Sequence, residues 1–166
     1  MTISTIGKDS FPKSRVVLLK SYDENGFVFY TNYGSEKGQA IIDNPKVCLS
    51  FFWPHAERQI IIKGKAEKIS KEASIRYFQS RPKGSQLGAL VSPQSQEIPN
   101  RQVLEDKLKA LEQEYADKPV EKPKNWGGFC VEPVAFEFWQ GRPNRLHDRF
   151  VYELDNLDWN IKRLAP

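Results

Sequence analysis

Long hydrophobic runs, cysteine, histidine and methionine are all scarce in this 166-residue chain, which has two cysteines, two histidines and one methionine. No apolar stretch approaches the roughly 20 residues that a membrane helix needs, so no membrane partner is expected. Residues Met1 to Lys8 lack the charged-then-apolar order of a secretory signal. Cys48 and Cys130 lie in apolar, strand-like surroundings and are expected as buried free thiols in a reducing cytoplasm. Neither His55 nor His147 has zinc-site spacing with either cysteine, so no metal is expected. There is no Gly-x-Ser-x-Gly elbow and no glycine-rich strand-to-helix fingerprint of the Rossmann or P-loop kind. An enzyme built from these residues needs an organic cofactor to carry the reaction, the protein supplying binding and polarity.

What is present describes an ordinary globular chain, with 39% hydrophobic residues and 25 Lys plus Arg against 21 Asp plus Glu, a net charge of +4. The length suits one domain, 1–166, with a real core. Mild basicity alone fits nucleic acid, an anionic membrane or a small phosphorylated ligand. The cations are interleaved with acids, as in Glu105, Asp106, Lys107, Lys109 and Glu112. That pattern reads as a mixed solvated face rather than a nucleic-acid surface.

Strand-like runs dominate: Thr2 to Ile6, Arg15 to Lys20, Phe27 to Thr31, Lys46 to Trp53, Arg58 to Ile69, Gly128 to Val131, Val134 to Trp139, Arg149 to Leu154 and Trp159 to Leu164. Asn25-Gly26 predicts a hairpin returning Arg15–Lys20 into Phe27–Thr31. In Arg58–Ile69, Ile60, Ile62, Gly64 and Ala66 share one face. Helices are predicted at Ser35 to Asn44, Ser70 to Ser80, and from an Asn100 cap through Leu104, Leu108, Leu111 and Tyr115. Antiparallel strands with helices inserted at about 70–115 predict a mostly β fold of the α+β class, an antiparallel barrel.

Two clusters could carry chemistry. In Phe136 to Arg149 an aromatic strand enters a turn rich in arginine. If the piece is extended, Arg145, His147 and Arg149 share one face suited to a phosphate or carboxylate, and Trp139 offers a surface for a planar ring. The bland alternative is a solvated hairpin end whose arginines pair with Asp148 and Glu137. On the second predicted helix, Tyr77 and Arg81 are four residues apart, with Ser85 close behind. A phenol, a guanidinium and a hydroxyl together suit a phosphate monoester, whereas the alternative for Tyr77 is helix-core packing.

The stretch Phe136 to Arg149 closely resembles the C-terminal signature of the pyridoxine (pyridoxamine) 5′-phosphate oxidases: an aromatic strand, Trp, and then Arg-x-His-Asp-Arg. The resemblance extends in order through Arg15–Lys20, Phe29-Tyr30-Thr31-Asn32, Glu57-Arg58-Gln59, Tyr77 to Pro82, Gln94-Ser95, Trp126 to Phe129 and the terminal Arg163-Leu164-Ala165-Pro166. It implies an FMN-binding split β-barrel, normally a homodimer with FMN at the subunit interface. Its flavin contacts would be Arg15, Val16, Val17, Leu18, Leu19, Lys20, Tyr30, Thr31, Lys37, Gln59, Gln94, Ser95, Trp139 and Arg149. The substrate phosphate would be held by Lys20, Tyr77, Arg81 and Ser85, which favours the phosphate role for Tyr77. Arg145 and His147, the residues closest to catalysis, would lie at the pyridine ring with Leu146 between them. The implied reaction is oxidation of pyridoxine or pyridoxamine 5′-phosphate to pyridoxal 5′-phosphate, with O2 as acceptor and H2O2 as by-product.

Two departures from the family pattern carry expectations. Ser35-Glu36-Lys37 places an acid where members usually have a base that meets the FMN phosphate, so weaker FMN retention is expected. Members also usually have an N-terminal helical segment that partly covers the substrate, whereas Met1-Thr2-Ile3 already reads as strand. That lid is either trimmed or naturally absent, and reduced turnover is expected in either case. The rival readings are a split barrel that only binds FMN or pyridoxal phosphate, or that takes another substrate, and a basic nucleic-acid-binding barrel.

Overall fold

The computed structural model describes residues 1–166. Nine strands and four α-helices follow one another along the chain: β1 (Thr2–Ile6), β2 (Pro12–Val16), β3 (Ser21–Asp23), β4 (Gly26–Asn32), α1 (Glu36–Asp43), β5 (Lys46–Trp53), β6 (Arg58–Lys68), α2 (Lys71–Gln79), α3 (Lys83–Val91), α4 (Gln102–Glu114), β7 (Trp126–Gln140), β8 (Asp148–Asp155) and β9 (Asp158–Leu164). The strands form one sheet in the order β2-β1-β5-β6-β7-β4-β3, with β8 added on β7 and β9 on β8. The order has two ends and does not close into a ring, as a split rather than a closed barrel requires. By internal packing the chain forms two compact units, one from residues 1–29, 40–67 and 130–166 and the other from 30–39 and 68–129.

In the first unit, β1 is antiparallel to both β2 and β5, β5 to β6, β7 to β8 and β8 to β9. Ile3, Leu49, Ile62 and Val131 are among its fully buried side chains. Along β6 the alternation holds: Ile62, Gly64 and Ala66 are buried while Lys63, Lys65 and Glu67 are exposed. The hairpin differs from the predicted one. β2 ends at Val16, residues 17–20 form no strand, and β3 takes the place opposite β4, with Tyr22 against Phe27 and Asp23 against Gly26. The turn centre is therefore Glu24-Asn25, closed by the Asn25 amide donating to Asp23 Oδ1 at 2.9 Å. Gly26 lies just after it at φ 136°, a conformation open essentially to glycine alone.

The second unit holds the inserted helices. Ser35 Oγ accepts from the Gly38 amide at the start of α1, and Ser70 Oγ accepts from the Ala73 amide at the start of α2. The predicted α4 stripe is present: Leu108, Leu111 and Tyr115 pack on a cluster of Phe78, Leu87, Val120 and Trp126. α3 was not anticipated, because Pro82 precedes it and no side chain caps it. Near the C-terminus, the two expected strands at 128–131 and 134–139 are one strand, β7, which contains Pro133. A proline keeps the extended backbone and removes only one donor. Both cysteines are unpaired, and they are half-buried rather than buried.

An alanine at position 26 would place Cβ 2.2 Å from the Val131 carbonyl oxygen. Gly26→Ala is therefore expected to lower unfolding stability by about 2–5 kcal/mol in denaturant titrations, from strain plus overpacking. Burial raises the thiol pKa of both cysteines; Lys63 opposes the effect at Cys48, while acids around Cys130 add to it. Alkylation by iodoacetamide at pH 7.5 should accordingly be slower than for free cysteine, accelerating only above the ordinary thiol range of about 8.5.

Candidate functional site

The second unit builds an aromatic wall around one arginine. The Tyr77 and Tyr30 rings stack with centroids 3.8 Å apart, and Trp126 lies parallel to Tyr77 at 6.2 Å. α2 presents Tyr77 and Phe78 to this wall, and the turn after α2 brings the Arg81 guanidinium 4.8 Å from the Trp126 ring centroid. Burial lowers the Arg81 pKa, with Tyr77 acting the other way. Arg81 Nη1 is buried and has no hydrogen-bond partner. An unmet buried donor costs about 1–3 kcal/mol, more when charged, so the arrangement is poised for an anion. Ser85 is exposed in the first turn of α3. Tyr77 thus packs against aromatics, as its core reading expects, and stands beside the unmet cation.

A second group in the same unit joins Thr31, Lys37 and Gln94. Thr31 Oγ1 donates to Gln94 Oε1 at 3.3 Å, and Lys37 Nζ reaches both oxygens at 3.4 Å. These long contacts leave room for a stronger acceptor to displace them. Ser95, next in the chain, takes a left-handed φ of 70°.

The first unit holds the remaining candidates. Arg15 is turned onto its own strand pair, donating from Nη1 to Thr5 Oγ1 at 2.6 Å and to the Lys13 carbonyl at 2.7 Å. After it Val16 and Leu18 are exposed, Leu19 is half-buried, Val17 is buried, and Lys20 is exposed with its amide donating to the Val28 carbonyl. Gln59 and Trp139 line one cavity of about 410 Å³ together with Arg142, Asp148 and Phe150. Trp139 packs against His147 with ring centroids 4.8 Å apart. Arg149 is opposite Trp139 in the β7–β8 register, pairs with Glu137 at 2.8 Å, and donates to the Ala165 carbonyl at 3.0 Å.

The extended reading of 145–149 does not hold. Pro143–Arg145 is a short 3-10 turn in which Asn144 and Arg145 both have left-handed φ, 58° and 61°. Asn adopts that conformation at little cost and proline fixes the entry, so alternation begins only at His147. Arg145 and Leu146 are consequently thrown into solvent, Leu146 at 71% exposure. At this hairpin end Arg149 and Arg142 are paired with acids, as the solvated-end reading expects, and Arg145 is presented outward. Sequence reasoning gave no site role to Arg142 or Arg163, which share Asp148; for Arg142 the signal lay in the charge pattern around that acid, whereas Arg163 reaches it only through the β8–β9 pairing.

A family model described as pyridoxamine 5′-phosphate oxidase matches residues 1–115, and one described as the pyridoxine 5′-phosphate oxidase C-terminal dimerisation region matches residues 126–166. A pyridoxine/pyridoxamine 5′-phosphate oxidase of Flavobacterium johnsoniae is 62% identical, covering 99% of this chain and 78% of its own length. The chloroplastic pyridoxine/pyridoxamine 5′-phosphate oxidase 1 of Arabidopsis thaliana is 52% identical over all of this chain and 32% of its own. Among solved structures, PhzG from Burkholderia lata, in complex with tetrahydrophenazine-1-carboxylic acid, has TM-score 0.93 at 27% identity, over 99% of this chain and 81% of that one.

If the unmet Arg81 nitrogen awaits a phosphate, inorganic phosphate at about ten times its Kd should raise Tm by about 3–6 °C. Arg81→Gln should abolish the rise; an equal rise in the variant would place phosphate elsewhere.

Proposed function

The chain belongs to the pyridoxamine 5′-phosphate oxidase family, and from that premise we propose that it oxidises pyridoxine or pyridoxamine 5′-phosphate to pyridoxal 5′-phosphate using bound FMN and dioxygen. The observation that carries the substrate class is the buried, unpartnered Arg81 Nη1 beside Tyr77. A phosphate monoester supplies the oxygen that this nitrogen lacks, and Ser85 and Lys20 add a hydroxyl and a second cation to the proposed phosphate contacts. Arg145 and His147 are the residues proposed to meet the pyridine ring. The Arg142 amide donates to His147 Nδ1 at 3.0 Å, so Nε2 carries the hydrogen and is the ring's donor. Arg145, in its left-handed turn, orients the substrate and offsets charge developing on it.

The donor set fits a phosphate-bearing flavin: the Lys37 ammonium and the Thr31 hydroxyl, with the Gln94 amide beside them. The contacts proposed for it continue through Arg15–Lys20, Tyr30, Gln59, Ser95, Trp139 and Arg149, taken from both subunits of a homodimer. The match of residues 126–166 to a dimerisation region supports that assembly. The chemistry FMN supplies when bound is acceptance of a hydride from substrate C4′ and return of the electrons to dioxygen, which becomes hydrogen peroxide; with the amine substrate, water would then release ammonia to leave the aldehyde. The protein's share is positional, holding substrate and flavin rings at reactive distance. In this reading residues 1–166 act as a single flavin-binding domain, in the reducing cytoplasm where the unpaired Cys48 and Cys130 persist.

Glu36 is the first residue of α1, where an acid complements the helix dipole. The same position repels a phosphate brought to that helix start, so the residue that favours the helix disfavours the cofactor.

Purified protein supplied with FMN, pyridoxine 5′-phosphate and air should form pyridoxal 5′-phosphate and hydrogen peroxide in equal amounts; no product from flavin-loaded protein would refute the oxidase reading. Arg145→Ala should raise KM about 10- to 100-fold, the worth of a charge-assisted hydrogen bond, while flavin absorbance is retained. Loss of flavin instead would reassign Arg145. Glu36→Arg should tighten FMN binding about tenfold in fluorescence titration, and an unchanged Kd would remove the charge argument.

A further inference from the structure

His147 and Arg145 sit in a seven-residue connection, residues 141–147, with two consecutive left-handed residues, of which Arg145 is the strained one. Such a turn keeps one geometry only when its surroundings over-determine it. At the β7 end the anchors are plain: the Gly141 amide donates to the Glu57 carbonyl at 2.7 Å, and Arg58 Nε donates to Gln140 Oε1 at 2.6 Å. At the β8 end one carboxylate does the holding. Asp148 Oδ2 accepts from Arg142 Nε at 2.8 Å, and Asp148 Oδ1 accepts from Arg163 Nη1 at 2.7 Å.

Arg163 is itself pinned. It lies on β9 opposite Phe150, so Asp148 is its diagonal neighbour on the same face, and its guanidinium stacks 4.2 Å from the Phe150 ring centroid. Arg142 in turn donates its backbone N–H to His147 Nδ1. A continuous chain of contacts therefore runs from β9 to the imidazole: Arg163, Asp148, Arg142, His147.

We propose that Asp148 and Arg163 are positioning residues that clasp the 141–147 turn, fixing the Nε2–H tautomer of His147 and the aim of Arg145. The Asp148 carboxylate carries both arginines at once, one on the turn and one on the C-terminal strand, so β9 becomes part of the site's scaffold. Exposed ion pairs contribute little to global stability, and both arginines here are more than half exposed, so the clasp's effect falls on the turn's geometry rather than on the fold. Arg149 keeps its own partners, Glu137 and the Ala165 carbonyl, and does not depend on the clasp. The kinetic part of the inference rests on the oxidase reading; the tautomer part does not.

The test uses full-length, FMN-loaded protein carrying Asp148→Asn, Arg163→Ala, both together, or Arg163→Lys. With flavin content and Tm near wild type, Asp148→Asn and Arg163→Ala should each raise KM for pyridoxine 5′-phosphate about tenfold while kcat changes less than about threefold. The double variant should be no worse than Asp148→Asn alone, because both changes break one chain of contacts. Arg163→Lys should recover part of the loss. In 15N spectra of histidine-labelled protein, His147 should be the Nε2–H tautomer in wild type and a mixture of tautomers in Asp148→Asn and Arg163→Ala. Wild-type KM and an unmixed tautomer in both single variants would overturn the clasp. So would strictly additive effects, or a large fall in Tm, which would mark the pair as structural. If the wild-type protein itself forms no pyridoxal 5′-phosphate, the oxidase reading fails and the tautomer result alone decides the clasp.

Discussion

One cation held against an indole organises the second unit. Arg81 lies 4.8 Å from the Trp126 ring centroid and 5.6 Å from that of Phe78, and Trp126 also supports the Tyr30–Tyr77 stack. Removing a guanidinium from water is unfavourable unless its charge is met, and the π-face meets only part of it. The helices pack an apolar cluster against which this cation rests. Phe78 is fully buried by α2, Leu87 by α3, and α4 closes the cluster with Leu108 and Leu111. Gln86 Nε2 donates to the carbonyls of Gln79 and Arg81, so the turn that carries the cation has its backbone oxygens satisfied. What the packing leaves unpaired is one nitrogen, Arg81 Nη1.

The first unit contrasts with that unpaired nitrogen. There the arginines are largely met by the chain itself: Arg15 by Thr5 and a carbonyl, Arg149 by Glu137, Arg142 and Arg163 by Asp148. Hydrogen bonds from these two arginines lower the Asp148 pKa, so it stays ionised through any neutral assay. The excess of four positive charges is thus not spread as a field. It divides into cations that hold strands and turns in place and a few, Arg81 and the outward-turned Arg145 foremost, whose position favours a small anionic ligand. That division argues for a phosphorylated metabolite over a nucleic acid, which needs a continuous basic surface.

Local chemistry made much of this legible in advance. Ser35 and Ser70 announce α1 and α2 because a hydroxyl at that place meets an orphan amide, and the α4 leucines recur at a period that only a helix satisfies. Tyr77 and Arg81 were placed together by the same period. The misses share a cause. The β3–β4 hairpin has its turn one residue earlier than Asn25-Gly26 suggests, because Gly26 takes its positive φ as the first strand residue rather than inside the turn. α3 has no capping side chain, and its start is set by the tertiary contacts of Leu87 and Gln86. The role of Arg163 in the candidate site depends on β9 lying beside β8, a pairing that no local pattern around Arg163 specifies.

The apolar side chains left outside carry the argument from the chain to its assembly. Val16, Leu18, Phe52, Trp53, Phe138 and Leu146 are all exposed, Val16 at 77%, and all belong to the first unit. Single exposed hydrophobics are ordinary, but these occur within or beside the segments that hold Arg15, Lys20, Gln59, Trp139 and Arg145. Water around those polar groups weakens every electrostatic contact they make, and covering the apolar residues would strengthen them. Residues 126–166 match a dimerisation region, which includes Phe138 and Leu146. Burial of this surface by a second copy would thus do two things at once: remove apolar area from water, and dry the groups on which an anionic ligand depends. The exposed leucines and valines are then as much a part of the chemistry as the arginines between them.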